Sequence, residues 1–328
     1  MYLQSNLNKY KIFSLRFIIA YLITMRPYLM FVSGITGIVG MSFSDNLAFI
    51  SGLIIFQVTF LSYGFGQALT DCFQIDTDSI SSPYRPLTQG YVSRKHFLVL
   101  SCVGLIYCVA ILSVYNSINL LLGIIAGLGL ATYTIFKRKW WAGPFYNSWI
   151  VSVLFLMSLF ASTTISFYEI NLTIGLTLVA VFFGYSNFVL VGYYKDIEAD
   201  EQTGYNTLPV VFGRKTSAMI SNVFALFAVF ATIKLFFITA AQTEFIQLIP
   251  AAAFLITAVI STLYTQWQLR QVMYDEEAYK AVSPSVHSYL LTLSSITTMN
   301  KPSWSIFALL FYMAFIAVMK LRPTKTQI

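Results

Sequence analysis

The sequence predicts an all-α protein, a polytopic membrane helix bundle of about nine transmembrane helices. Three observations carry this prediction. Of the 328 residues, 57% are hydrophobic and only 10% are charged, whereas a soluble domain carries about 25% charged residues. Mean hydropathy is +0.72, so water is not the main solvent of the surface. Apolar segments recur that are long enough to cross about 30 Å of hydrocarbon. Lipid offers no partner to backbone N–H and C=O groups, so such segments satisfy themselves as helices.

The expected spans are 18–43, 47–69, 96–115, 117–136, 145–166, 171–194, 216–238, 245–267 and 303–320. The first follows Lys9, Lys11 and Arg16; it is too long for a signal peptide and lacks a small-residue cleavage site. Short connectors without basic residues, at 44–46 and 115–117, join the first span to the second and the third to the fourth. Longer charged connectors, 70–95, 137–143, 195–215 and 268–302, separate others. Most of the 20 Lys and Arg residues lie in the N-terminus and these longer connectors. The positive-inside rule then places the N-terminus and the charged loops in the cytoplasm. An odd number of spans leaves Lys320, Arg322 and Lys325 outside. The tail is therefore expected to be an exception to the rule, in preference to a further segment hidden near 283–299, because early helices dominate topology.

Cys72, Cys102 and Cys108 are not spaced as a metal site, and His96 and His287 lie far apart. Neither a disulfide framework nor a histidine-based triad or metal centre is expected. The acids are more informative. Seven of the 13 fall in two stretches, Asp71, Asp76 and Asp78 in one and Asp196, Glu198, Asp200 and Glu201 in the other, each directly after a span. Carboxylates beside a membrane are costly unless paired, hydrated or bound to metal. An oxygen-only cluster suits Mg²⁺, which takes one or two carboxylates together with substrate phosphates. Asp196 and Asp200 are four apart and Asp71 and Asp78 seven apart, so each pair shares a helix face. Two such faces at one membrane surface fit a shared metal and diphosphate site, with Asp71, Asp76, Asp78, Asp196 and Asp200 as the metal ligands.

Basic residues complete the candidate site. Arg85 sits between Pro83 and Pro86, Arg26 precedes Pro27, and Lys195 adjoins Asp196. Arginine suits bidentate phosphate contact. Lys137, Arg138 and Lys139 end the fourth span and read more readily as a topology anchor. Among the aromatic residues, Tyr133, Tyr193 and Tyr194 lie beside the charged loops, where ring faces can stabilise a cation. The two halves of the chain are loosely alike. Each charged loop reads as an acidic cluster, then Pro, then Gly, then a basic pair, and four helices separate the loops.

The run from Asp71 through Asp76 and Asp78 to Pro83, Arg85, Pro86 and Gly90 resembles the first aspartate-rich motif of the UbiA superfamily of intramembrane prenyltransferases. The run from Lys195 and Asp196 through Asp200 and Gly204 to Pro209 and Gly213 resembles the second. Arg26 and Pro27 resemble the family's opening Arg-Pro, and Asn147 falls where the family commonly has Asn. The resemblance implies one domain over residues 1–328, with helices around a central cavity open to lipid. It also implies two Mg²⁺ ions bridged by a prenyl diphosphate, whose allylic cation an acceptor attacks. Arg85, Lys195 and Tyr133 are then the candidate catalytic residues, and Arg26, Asn147 and Tyr194 the candidate substrate-binding ones. The chain departs from the family pattern at Thr70 and Gln74, which stand where Asn and Asp are usual. Gln67, one turn away, and Asp76, two residues along, are the candidates to compensate.

The expected activity is Mg²⁺-dependent transfer of a prenyl group to a lipophilic or aromatic acceptor within the membrane. The expected partners are the prenyl diphosphate, the hydrophobic or aromatic acceptor and membrane lipid, with no nucleic acid. A terpene cyclase of the same fold is the alternative, and needs no acceptor. A transporter is disfavoured because its ionisable residues belong at the midplane of broken helices, whereas these spans are almost free of acids.

Overall fold

The computed structural model describes residues 9–322. Among these residues the regular structure is helical, with one isolated bridge between Lys139 and Asn206. The first expected span is two helices, α1 (Leu15–Met25) and α2 (Pro27–Met41), bent by 55°. The cause is local. A residue before proline is driven out of the right-handed helical region, and Arg26 takes φ 52° and ψ 71°, caps α1 and starts α2. A non-glycine residue rarely sits there, and such strain concentrates at functional sites.

The next spans are α3 (Phe49–Asp71), α5 (Arg94–Tyr115), α6 (Ile118–Lys137), α7 (Gly143–Ser162) and α8 (Leu172–Gly192). Two short helices, α4 (Ile75–Ser81) and α9 (Ile197–Gln202), carry the acidic stretches and pack on each other at one end of the bundle. Their hydroxyls meet where Thr77 and Thr203 lie 3.0 Å apart. The chain continues through α10 (Leu208–Ala240), α11 (Phe245–Gln271), α12 (Tyr279–Asn300) and α13 (Ser305–Lys320). Among the described residues, eight helices are long and apolar enough to cross a membrane, nine when the bent pair counts as one. Exposed Ile106, Leu128, Leu226, Phe230 and Leu310 leave apolar side chains on the outer surface, as lipid contact requires.

The helix α12 corrects the sequence reading, which left its residues in a connector. Its 22 residues span about 33 Å at 1.5 Å per residue. Its first turns lie near Asp275, which bonds the acidic helix α9. Its last residues meet the opposite end of the bundle, where Asn300 donates to Ser42 at 2.9 Å and Lys301 pairs with Asp45 at 3.0 Å. The helix escaped a hydropathy criterion because it is rich in Ser and Thr. Their hydroxyls bond carbonyls one turn back, as Thr297 does to Leu293 and Thr298 to Ser294, or neighbouring helices, as Ser295 does to Ala251 and Ser288 to Thr262. Small hydroxyl residues allow close helix approach inside a membrane bundle.

Helix α13 then runs back. Its late residue Phe315 packs edge-on against His287, in the first half of α12, with ring centroids 5.0 Å apart, and tilted against Phe31, near the start of α2, at 5.8 Å. Lys320 and Arg322 therefore emerge at the same end as Arg26 and the acidic helices. Lys325 lies outside the described residues. The sequence reading put the tail at the end away from the charged loops; because α12 runs the length of the bundle, the tail lies at the same end as those loops.

Candidate active site

Three elements bring the site together. The bend at Arg26 turns that side chain toward the end of α3, where its Nη2 donates to both carboxylate oxygens of Asp71, at 3.1 and 2.9 Å. Gln67, one turn earlier, donates to Asp71 at 2.6 Å. The chain then breaks at residues 72–74 before α4 presents Asp78. Arg85 spans the break, in contact with Asp78 and 3.8 Å from Asp71. Its loop is stiff. Pro83 and Pro86 flank it, Arg85 N donates to Ser82 O at 3.1 Å, and Thr88 Oγ1 donates to Arg85 O at 2.7 Å. The third element is the turn after α8, which supplies Lys195 and Asp196, with Nζ and Oδ2 3.8 Å apart.

These side chains line one end of a cavity of about 230 Å³. A single water needs about 10–15 Å³ on this measure, so the cavity is built and is not a packing fault. Arg26, Arg85, Lys137 and Lys195 supply cations at its polar end, and Asp71, Asp78 and Asp196 supply carboxylates. Gln74, Asn147, Tyr133 and Tyr193 also face it. Below them the walls become apolar, through Leu105, Leu130, Val151 and Leu154 to Leu112, Met157 and Gly123. Along α6 the lining runs from Lys137 to Gly123, about 21 Å at 1.5 Å per residue.

The electrostatics follow from burial. Burial raises the Asp78 carboxyl above its usual range, against the pull of Arg85. Burial disfavours the Arg85 cation too, but Asp78 and Asp71 outweigh it and hold the guanidinium charged. For Asp196 burial again opposes ionisation, yet Lys195, Lys137 and Arg85 together keep it below the usual carboxylate range. The Asp200 carboxyl is pushed up by burial, with Lys137 opposing and Asp196 reinforcing.

Several expected residues sit elsewhere. Asp200 is fully buried behind the wall, with Oδ1 3.6 Å from Lys137 Nζ and Oδ2 accepting from Thr207 at 3.2 Å. It steadies the lysine and does not face the cavity. Asp76 lies on the outer side of the cap, paired with Arg138 at 3.0 Å and 3.4 Å from the Tyr205 hydroxyl. It does not share a site with Asp78, because α4 stays helical and residues two apart point about 160° apart. In this arrangement Asp76 does not face the cavity that Gln74 lines. Tyr194 also points away; its hydroxyl bonds the carbonyl of Arg214.

Lys137 is the residue that sequence reading undervalued as an anchor. Its Nζ donates to Gln74 Oε1 at 3.0 Å and lies over the Tyr193 and Tyr205 rings at 5.6 and 5.2 Å. The signal was present as a lysine at the very end of a span, one turn from Tyr133. Tyr133 and Tyr193 share a contact of 3.3 Å between hydroxyls.

The donor set fits Mg²⁺. Among the described residues no cluster of three acidic, histidine or cysteine side chains forms a closed metal cage, but Mg²⁺ needs only one or two carboxylates when phosphate completes its shell. Asp196 Oδ1 is buried and accepts no hydrogen bond, and Asp78 lines the same space. The cavity thus offers carboxylates for a cation, cations for an anion and an apolar tunnel below them.

The comparisons bear on family and fold. Residues 30–287 match the family model described as the UbiA prenyltransferase family. A digeranylgeranylglyceryl phosphate synthase from Thermococcus kodakarensis is 29% identical over 216 residues, covering 65% of this chain and 76% of that protein. Its namesake from Methanosarcina mazei is 27% identical over 64% of this chain and 72% of its own length. A UbiA homolog from Aeropyrum pernix superposes with a TM-score of 0.67 at 18% identity, over 86% of this chain and 98% of that one. A UbiA homolog from Archaeoglobus fulgidus, solved with DMAPP and Mg²⁺, gives 0.65 at 16% identity over 92% and 99%. With the family model matched over most of its length and the same helical fold, the chain is a prenyltransferase that belongs to the UbiA family.

Proposed function

We propose that the protein transfers a prenyl group from an isoprenoid diphosphate to a lipophilic acceptor within the membrane, with Mg²⁺. The observation that carries this reading is the polarity of the cavity, with four cations and three carboxylates over an apolar tunnel. The tunnel takes the prenyl chain, and the charged end takes the diphosphate. Asp78 and Asp196, with Asp71 behind them, would hold Mg²⁺, which supplies positive charge against the leaving diphosphate. Arg85 and Arg26 bind phosphate oxygens, with Asp71 and Asp78 fixing their direction. Lys195 faces the same space from the opposite motif. Breaking the carbon–oxygen bond leaves an allylic cation on the substrate, beside the faces of Tyr133 and Tyr193. The acceptor's nucleophile then forms the new bond, and its proton is lost to solvent at the open polar end.

The acceptor follows from a different line of support. The relatives named above are digeranylgeranylglyceryl phosphate synthases, which favours a prenylated glyceryl phosphate over an aromatic ring. The charge distribution supports a cytoplasmic side for the N-terminus, the acidic helices and the tail.

Purified protein incubated with labelled geranyl, farnesyl and geranylgeranyl diphosphates, Mg²⁺ and candidate acceptors tests the reading. Mass analysis is expected to show a prenylated acceptor only when both substrates are present. A hydrocarbon or alcohol formed equally well without acceptor assigns cyclase chemistry instead.

A further inference from the structure

We infer that Asp275, in the connector between α11 and α12, is a positioning residue that presents Lys195 and Asp196 to the diphosphate. The inference rests on the functional reading above and concerns a residue outside both acidic motifs. Lys195 and Asp196 lie in a turn between α8 and α9, and the backbone on each side of them is held from behind.

On the near side, Tyr194 donates its hydroxyl to Arg214 O, and Arg214 Nη1 returns a bond to Tyr194 O at 3.4 Å. On the far side, Asp275 Oδ2 accepts from Glu198 N at 2.8 Å. Glu198 is the second residue of α9, and its N–H is one of the donors a helix start leaves without an internal partner. Asp196, the N-cap residue of α9, makes no side-chain cap itself, so Asp275 does this from another segment and frees Asp196 for the cavity. One ion pair closes the clasp, with Arg214 Nη2 2.5 Å from Asp275 Oδ1. Its two side chains are 24% and 12% exposed, so it is mostly shielded from solvent. Neither residue lines the cavity. Asp275 thus acts through the backbone of residues 194–198 and touches no substrate.

The clasp makes the position of Lys195 and Asp196 depend on a loop that sequence alone separates from them by some 80 residues. Small displacements at a reacting site are expensive, with about 100-fold lost for a shift near 1 Å.

Amide exchange and steady-state kinetics on full-length Asp275→Ala and Asp275→Asn in detergent test the inference. In Asp275→Ala, exchange at residues 197–202 rises about 10-fold or more, as expected for loss of hydrogen bonds to a charged group, while α5 to α7 are unchanged. Its kcat falls by roughly 10- to 100-fold, whereas KM for the prenyl diphosphate changes little, because Arg26, Arg85 and the tunnel still bind it. Asp275→Asn keeps an acceptor for Glu198 N and recovers most of the exchange protection and part of kcat. Unaltered exchange in Asp275→Ala, or raised exchange with wild-type kcat, overturns the inference. A wild-type protein that turns over none of the prenyl diphosphates defeats the functional reading instead, and the exchange result then decides the clasp by itself.

Discussion

The two acidic motifs are the same device built twice and tied down differently. Each follows a span, continues into a short helix and ends at a glycine with positive φ, Gly90 at 72° and Gly213 at 75°, ahead of a basic pair. In each, the arginine of that pair lies over an aromatic ring beside the acids, Arg94 over Phe73 at 5.2 Å and Arg214 over Tyr194 at 5.9 Å. In each, a side chain at the motif donates to that arginine's carbonyl, Cys72 Sγ to Arg94 O and the Tyr194 hydroxyl to Arg214 O. The difference lies in the cations. The first motif's cavity carboxylates are gripped by arginines, Arg26 on Asp71 and Arg85 on Asp78. The second motif's acids face lysines, Lys195 on Asp196 and Lys137 on Asp200. Arginine forks fix direction, whereas an ammonium is a compact charge on a flexible stem. The first motif is accordingly the rigid jaw, and the second is the adjustable one that needs Asp275 to hold it.

The largest expected effect comes from breaking the rigid jaw. Asp78→Ala removes a cavity carboxylate and leaves Arg85 buried without its nearest partner, a loss of about 3–5 kcal/mol for a broken buried pair. Turnover is expected to fall below detection while the protein still elutes as a folded species. Turnover near wild type would show that Asp71 alone serves the first motif. Next comes Arg85→Lys, which keeps the charge and loses the fork. Its kcat is expected to fall by roughly 10- to 100-fold, with KM for the prenyl diphosphate raised. Unchanged kinetics would reduce Arg85 to a loop anchor.

Much of this contrast was legible in the sequence, and the rest was hidden for physical reasons. Span positions follow from solvent cost, so the nine apolar segments were readable; the bend at Arg26 was not read, since the expected span 18–43 ran unbroken through Pro27. Helix α12 was not, because hydropathy scores side chains one at a time and takes no account of hydroxyls satisfied by carbonyls one turn away. Arg85 was readable from its prolines. Asp76 was misplaced because motif spacing does not say whether residues 75–81 stay helical, and helicity alone decides which way the side chain faces. Asp200 was assigned to metal on its four-residue spacing from Asp196, but it sits inside α9 while Asp196 caps that helix, so the two do not present one face. Asp275 belongs to a third acidic run, with Glu276 and Glu277. That run had no motif around it, although it falls in one of the charged connectors.

A smaller effect probes the departure at Gln74. Its Oε1 holds Lys137 Nζ at 3.0 Å, so the lysine is shared between this neutral acceptor and Asp200. Gln74→Asp puts a second carboxylate on Lys137 and is expected to be tolerated, with the Mg²⁺ titration midpoint falling a few-fold through the added local negative charge. Gln74→Ala frees the lysine on the cavity side and is expected to lower kcat by roughly 10-fold, the low end for a hydrogen bond to a charged group worth about 1.5–3 kcal/mol, because Asp200 still holds Lys137. An Mg²⁺ midpoint that rises in Gln74→Asp would mean that the neutral amide is required there.

The smallest effect is expected at Asp76, the acid that looked on spacing alone like the replacement for Gln74. Its partner Arg138 has 43% of its side chain exposed and Asp76 itself 39%, and exposed pairs contribute about 0–1 kcal/mol. Arg138 also stacks on the Tyr205 ring at 4.3 Å, so the cap between the motifs keeps a second tie when the carboxylate goes. Asp76→Ala should therefore leave the Mg²⁺ midpoint where it is and change kcat by no more than about 2- to 5-fold, the range that such a pair energy allows. The comparison with Asp78→Ala is what gives the measurement force, because the two residues share one helix and differ in the side they face. If Asp76→Ala raises the Mg²⁺ midpoint as strongly as loss of a cavity carboxylate does, then α4 unwinds when metal and diphosphate bind. Asp76 would then turn inward beside Asp78 during turnover.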